Sequence, residues 1–314
     1  MHEAGIPALS RSFQTASVTL LRRPGETVLI RHIVVATDES EAGRSAVRAG
    51  LDLAERAFAR VTVMRVVPLE TLPLLGSAVG GVVGPDGAAT ALERLQRWLH
   101  AELRPGCPVP VELGIAFGLP GIEICRFAEQ RQADLLVLGR KHRSAVARLL
   151  VGDTADAVVR RSRVPCLFVE HGALPLSQLL VALDGSDRGM WVYAAARDFA
   201  QSVGLGLTVV TVEAGDRPVA VDPVPPLPLT RSSRLWSELE PPAPRAGTLT
   251  STEVAVSIRQ GRPVAEVLAD LAETGADVLT FGCHRGGPAG ILESGGIARH
   301  LLHTAPVSVL TIPL

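Results

Sequence analysis

The chain has 314 residues, 47% hydrophobic and 20% charged, which is enough apolar content to bury large cores and more length than one compact domain uses, so two domains are expected. Its formal charge is −1, Lys141 is its only lysine, and aromatic residues make up 4%. Neither the basic field nor the stacking platforms of nucleic-acid binders are present, so that class of partner is excluded.

Cys107, Cys125, Cys166 and Cys283 form no CxxC pair and no metal-type spacing, which fits small buried hydrophobes in a reducing compartment and predicts no metal site. MHEAGIPALSRSF lacks the basic-then-apolar layout of a signal peptide, so a cytoplasmic location is expected. The nearest approach to a membrane span is LPLLGSAVGGVVG over 72–84. It is short of the roughly 18 apolar residues a span needs, is broken by Pro73 and four glycines, and reads as a loop.

Residues 1–30 form an extension in which SVTLLRR reads equally as an edge strand or a disordered arm. From residue 31 the chain alternates β-rich apolar runs with helical patterns. Strands are expected near 32–37, 61–67, 109–116, 133–139 and 165–169, and helices near 41–58, 88–103, 119–131 and 152–162. Such alternation implies parallel strands joined by right-handed crossovers. LLVLG and LLVALD are almost continuously apolar because a parallel sheet is covered on both faces. Ser40 is placed to cap the first helix, and Pro120 falls in the first turn of the third, where a missing N–H costs nothing. HGALPLS (171–177) is a short, turn-rich junction, so the remainder of the chain should pack closely on the first unit.

Beyond the junction the same unit occurs again. HIVVATDESEAGRSAV (32–47) and QLLVALDGSDRGMWVY (178–193) align without a gap and set Asp38 opposite Asp184, 146 residues apart. GLPGIEI aligns with GRPVAEV, ADLLVLG with ADVLTFG, and Gly152 with Gly295, all 143 residues apart. Ser186 and Pro263 take the places of Ser40 and Pro120. Segment 214–247 is rich in proline and permits at most a short helix around TRSSRLWSELE, so it reads as a surface loop. The domains are therefore set at 31–171 and 177–314.

An apolar strand ending in Asp (VVATDES, VALDGSD), a GxP turn before a helix, an AD-apolar-G strand and a glycine-containing loop after it each occur twice. Together they resemble the universal stress protein family in its tandem two-domain form, over both repeats. The resemblance implies an α/β fold of two doubly wound, parallel five-stranded sheets of order 3-2-1-4-5 flanked by helices. It also implies that Asp38 and Asp184 hold the adenosine end of ATP or AMP, with Mg²⁺ accompanying ATP, while loops starting at Gly139 and Gly282 wrap the phosphates. That placement is physically sensible, because ligands of open α/β sheets sit beyond the carboxyl ends of the strands where strand order reverses. Backbone N–H groups of glycine turns and helix N-termini favour anions there.

The loops depart from the family pattern of GxxG, nine residues, then Gly-Ser or Gly-Thr. In the first unit His142 replaces the second glycine and Asp153 the hydroxyl residue after Gly152. A carboxylate 4 Å from a phosphate oxygen is repelled by about 4 kcal/mol at an effective dielectric near 20. Thr154 supplies the hydroxyl only by a one-residue shift, and Arg140, Lys141 and Arg143 offer compensating charge. In the second unit Arg285 replaces the second glycine and Gly295-Gly296 lacks the hydroxyl, but no acid intrudes, so this half is the less hostile to an anion. The plainer reading of all these residues is that Asp38 and Asp184 cap turns, the glycines serve packing, and Arg140, Lys141 and Arg143 form a solvated loop.

His284, His300 and His303 lack partners at zinc-site spacing, and Trp98, Trp191 and Trp236 read as packing residues before any cofactor box. No catalytic residue is assigned, since no GxxxxGK[ST] loop or nucleophile-base pair is found, and weak ATP hydrolysis is the most that is expected. Two functions stand against each other. One is a nucleotide-responsive stress module, and the other a nucleotide-free stress adaptor acting through an unknown protein partner. In the adaptor, CLFVE and VSVLTIP would pair with each other in an intramolecular pseudo-dimer or across a homodimer, since an exposed apolar edge invites aggregation.

Overall fold

The run Ile33, Val34, Val35 and Ala36, fully or almost fully buried, forms a first strand β1 (His32–Ala36) with neighbours on both sides. The computed structural model describes residues 30–68, 78–79, 82–83, 85–103, 107–140, 154–213, 254–284 and 296–314. The expectations for SVTLLRR, for the whole proline-rich segment 214–247 with Trp236, and for Lys141, His142, Arg143, Gly152, Asp153, Arg285 and Gly295 lie outside the described residues.

After β1 the first unit continues as α1 (Glu41–Ala57), β2 (Arg60–Val67), the two-residue strands β3 (Ala78–Val79) and β4 (Val82–Val83), α2 (Pro85–Glu102), β5 (Val111–Phe117), α3 (Pro120–Gln130), β6 (Leu135–Gly139), α4 (Thr154–Arg161) and β7 (Cys166–Val169). The second unit runs β8 (Gln178–Leu183), α5 (Asp187–Val203), β9 (Gly206–Glu213), β10 (Ala255–Gln260), α6 (Pro263–Thr274), β11 (Val278–Cys283), α7 (Ile297–Thr304) and β12 (Ser308–Pro313). Ser40 and Ser186 cap α1 and α5, accepting from the Gly43 and Gly189 N–H groups. Pro120 and Pro263 open α3 and α6, whose missing N–H groups would have been orphaned in any case.

The strand order is β10-β9-β8-β11-β12-β7-β6-β1-β2-β5. Each unit therefore has order 3-2-1-4-5, parallel within itself, and the two five-stranded sheets are continuous. The join is antiparallel, β7 against β12, with Leu167 opposite Leu310. The apolar side chains follow the same continuity. One face packs Ile33, Val35 and Leu167 with Leu179, Val181 and Leu310 under α1, α2 and α5. The other packs Val34, Leu136 and Phe168 with Leu180, Leu279 and Val309 under α3, α4, α6 and α7.

The segment 72–84 differs from the loop expected of it, because β3 and β4 pair antiparallel, Ala78 with Val83 and Val79 with Val82. The V-G-G-V order between them is a hairpin signal that a reading focused on hydropathy passes over. The units also differ at the outer edges of the sheet. α2 lies over β5, whereas among the described residues no helix takes the corresponding place over β10, where Val256 and Ile258 are exposed.

Candidate functional site

Because β1 pairs with β2 on one side and β6 on the other, its carboxyl end is the point where strand order reverses in the first unit. The carboxyl end of β8, between β9 and β11, is the same point in the second. Asp38 follows β1 and Asp184 follows β8, both exposed. Each carboxylate uses Oδ1 to close the turn that starts the next helix. Ser40 donates to Asp38 from its backbone N–H at 3.1 Å and from its hydroxyl. Ser186 donates to Asp184 from its N–H at 3.0 Å and from its hydroxyl at 2.7 Å. The turn-capping role is thus present in both halves, and it holds each carboxylate in place at the mouth of its crevice.

The residue inside the turn must take positive φ. In the second unit it is Gly185, φ +72°, and in the first it is Glu39, φ +64°. A non-glycine residue in that region is strained, and Glu39 is held there by its side chain. Its carboxylate, 10% exposed, pairs with Arg65 of β2 and with Arg94 of α2 at 3.1 Å. This cluster sits over the rim between β1 and β2. The sequence signal for it was the Glu39-for-Gly185 difference between the repeats, which the alignment of the flanking aspartates hides.

Gly139 lies at the end of β6, next to β1, as the site requires. Packing alone accounts for the glycine, since a Cβ there would stand 2.0 Å from the Ala42 carbonyl oxygen in the first turn of α1. Arg140 is corrected outright. It is not part of a solvated loop or a phosphate cradle, but is 9% exposed and ion-paired with Glu170 at 2.9 Å. Its guanidinium also donates to the carbonyls of Ala305 and, at 3.0 Å, Val307 in the other unit. Burial lowers its pKa and the Glu170 charge works against that shift. Thr154 is the first residue of α4.

The second crevice is arranged differently. Gly282 lies near the end of β11, and a Cβ there would meet only side chains, Val192 Cγ2 at 2.7 Å and Leu314 Cδ1 at 2.8 Å. Gly296 is the N-cap of α7, with open space where a Cβ would be. Arg188, in the first turn of α5, reaches His284 just after β11, its Nη1 lying 3.0 Å from Nδ1. Arg188 thereby links the first turn of α5 to the residue after β11, the two elements that flank the switch point. Sequence reasoning missed Arg188, although it replaces Ala42 in the ungapped alignment.

The remaining candidates do not assemble. His303 bonds to Asp156 and His284 to Arg188, and among the described residues no three His, Cys, Asp or Glu side chains are grouped to hold a metal. Trp98 packs against the core, whereas Trp191 is 51% exposed, contrary to the packing role expected of it. All four cysteines are free thiols, Cys125, Cys166 and Cys283 buried and Cys107 half-buried. Burial pushes the Cys125 thiol up to about 11 and Cys283 up to about 12, so neither is a nucleophile. Among the described residues no helix is long and apolar enough to cross a membrane.

This geometry has recognisable relatives. The model of the universal stress protein family matches residues 29–170 and again 176–313. A universal stress protein of Methanocaldococcus jannaschii is 29% identical over 153 residues, covering 47% of this chain and 86% of that protein. One of Mycobacterium bovis is 30% identical over 193 residues, covering 57% of this chain and 61% of that protein. Among solved structures, a universal stress protein from Archaeoglobus fulgidus superposes with a TM-score of 0.66 at 18% identity, over 90% of this chain and 96% of that one. With two matched units that share one strand order, this chain belongs to the universal stress protein family in tandem form.

Proposed function

We propose that this chain is a nucleotide-responsive stress module whose second crevice, between β8 and β11, takes an adenine nucleotide, ATP or AMP, with Mg²⁺ accompanying ATP. The observation that carries the reading is Arg188, four residues after Asp184 in the first turn of α5, reaching His284 just after β11. A guanidinium and an oriented carboxylate there suit the phosphate and ribose ends of one ligand. Gly185 and Gly296, with open space where a Cβ would be, keep the approach open for backbone donors. The first crevice fits less well. The space beside its Gly139 is filled by the Ala42 backbone, its Arg140 is drawn into the junction, and Glu39 with its two arginines stands over the rim. The function is binding, not turnover, and occupancy would act by shifting which surface is shown to a protein partner in the cytoplasm.

The test is calorimetric titration of the full chain with ATP and AMP, with and without Mg²⁺. Asp184→Ala and Arg188→Ala should each weaken binding by about tenfold or more, the range for a lost charge-assisted hydrogen bond, while Asp38→Ala should leave it unchanged. Wild-type protein that takes up neither nucleotide at millimolar concentration would reject the reading in favour of a nucleotide-free adaptor.

A further inference from the structure

The β7–β12 junction looks self-complementary. Leu167 and Leu310 occupy equivalent places in the two repeats and face each other, so a local two-fold axis passes between them. Backbone pairing and leucine packing on such an axis do not discriminate. A first half would pair as well with another first half as with a second.

The polar contacts around the axis do discriminate, because most of their members are replaced by residues of different chemistry at the equivalent places of the other half. Asp156 of α4, buried, receives Arg299 at 2.9 Å and His303 at 2.8 Å, both from α7. Asp156 and Arg299 are themselves equivalent residues, 143 apart. A pair of first halves would bring two carboxylates together at that place, with only Arg160, the equivalent of His303, as a cation beside each, and a pair of second halves would bring two guanidiniums and two His303 rings together with no carboxylate equivalent to Asp156. Arg140 donates to the Ala305 and Val307 carbonyls at the end of α7, but its equivalent is Cys283, which carries no cation. In the first half the carbonyl equivalent to that of Val307 belongs to Val164, and Ser162 and Cys166 already donate to it. The Glu170 N–H donates to the Ser308 hydroxyl at 3.0 Å, and the equivalent of Ser308 is Pro165, which has none.

We propose that this face is a heterotypic lock: the two halves have diverged so that a first half pairs with a second half in preference to another first half, whether from its own chain or from a second copy that exchanges halves with it. The chain thereby consumes its own dimerisation surface and is protected from homotypic association through it.

The test uses full-length chains. Asp156→Arg gives both halves a cation at the axis, and Arg299→Asp gives both an anion. Each variant alone should melt lower by on the order of 2–4 °C, and the double exchange D156R/R299D should recover most of that loss. Should the single variants be too unstable to purify, recovery of folded double variant counts for the lock and failure of all three counts against it. When the two single variants are mixed and refolded together, native mass spectrometry should show mixed two-chain assemblies exceeding either same-chain assembly by about tenfold, mid-range for coupled contacts. A double variant no better than the sum of its parts, or a mixture with no excess of mixed assemblies, would overturn the proposal.

Discussion

Gly139 sits so close under α1 that the alternative of a side chain can be judged atom by atom. An added methyl would overlap the Ala42 carbonyl, with its oxygen at 2.0 Å and carbon at 2.2 Å, and a backbone group in a capped helix cannot rotate away. At Gly282 the overlap is milder and falls on side chains, Val192 Cγ2 at 2.7 Å and Leu314 Cδ1 at 2.8 Å, of which Leu314, the last residue, can shift while helical Val192 is stiff. Gly139→Ala should therefore destabilise the protein by about 1–3 kcal/mol, the range for overpacking. Gly282→Ala should stay within about 1 kcal/mol of wild type, because reduced freedom of the unfolded chain offsets part of the clash. Urea unfolding of both variants checks this, and equal losses would mean that the two glycines are not held by different neighbours. The same contrast shows why one glycine motif supports two readings. Both positions ask for glycine in sequence, yet only the packing of the folded chain distinguishes a glycine closed in by a helix backbone from one that meets side chains.

At the scale of elements, the helices after the site aspartates begin in one way. In each, a serine caps the third N–H of its helix and donates to the preceding aspartate, with Gly43 N to Ser40 Oγ at 3.3 Å and Gly189 N to Ser186 Oγ at 3.2 Å. Ser40→Ala and Ser186→Ala should each cost about 1 kcal/mol of stability, the usual worth of such a cap. The double variant should lose the sum, since the two turns share no partner. Thermal melts of the three proteins measure both points, and a double variant clearly below the sum would show that the crevices are coupled through the sheet. These starts were legible in the sequence, because Ser40, Ser186, Pro120 and Pro263 carry their local physics in their residue type. Strand order was legible too, from the resemblance and the repeated alternation. The arginine contacts were not. Arg140 reads as a loop cation until β12 is placed beside β7, and nothing in the sequence marks Arg188 until β11 brings His284 beside it. Pairings that depend on distant strands leave no local periodicity to detect.

At the scale of the whole molecule, the ten strands make one sheet, and the charges at its centre decide how the joined form responds to acid. Burial alone would raise the Asp156 carboxyl. The His303 hydrogen bond and the charges of His303, Arg299 and Arg160 more than offset this and hold it below the ordinary carboxylate value. A carboxyl with a depressed folded pKa adds stability that is fully present above its unfolded pKa, about 3.9, and is lost as pH falls through the lower folded value. The stability gap between wild type and Asp156→Asn should therefore be constant in its carboxyl contribution down to about pH 4 and should narrow only below it. Urea midpoints measured across pH 3 to 6 give the gap directly, and a gap already closed at pH 5 would contradict a depressed carboxyl. Because Asp156 binds α4 to α7 across the junction, the same titration reports on the two halves as one cooperative unit. Should the Asp156→Asn melt split into two transitions while the wild type keeps one, the junction contacts, and not the shared apolar faces, are what make the halves unfold together.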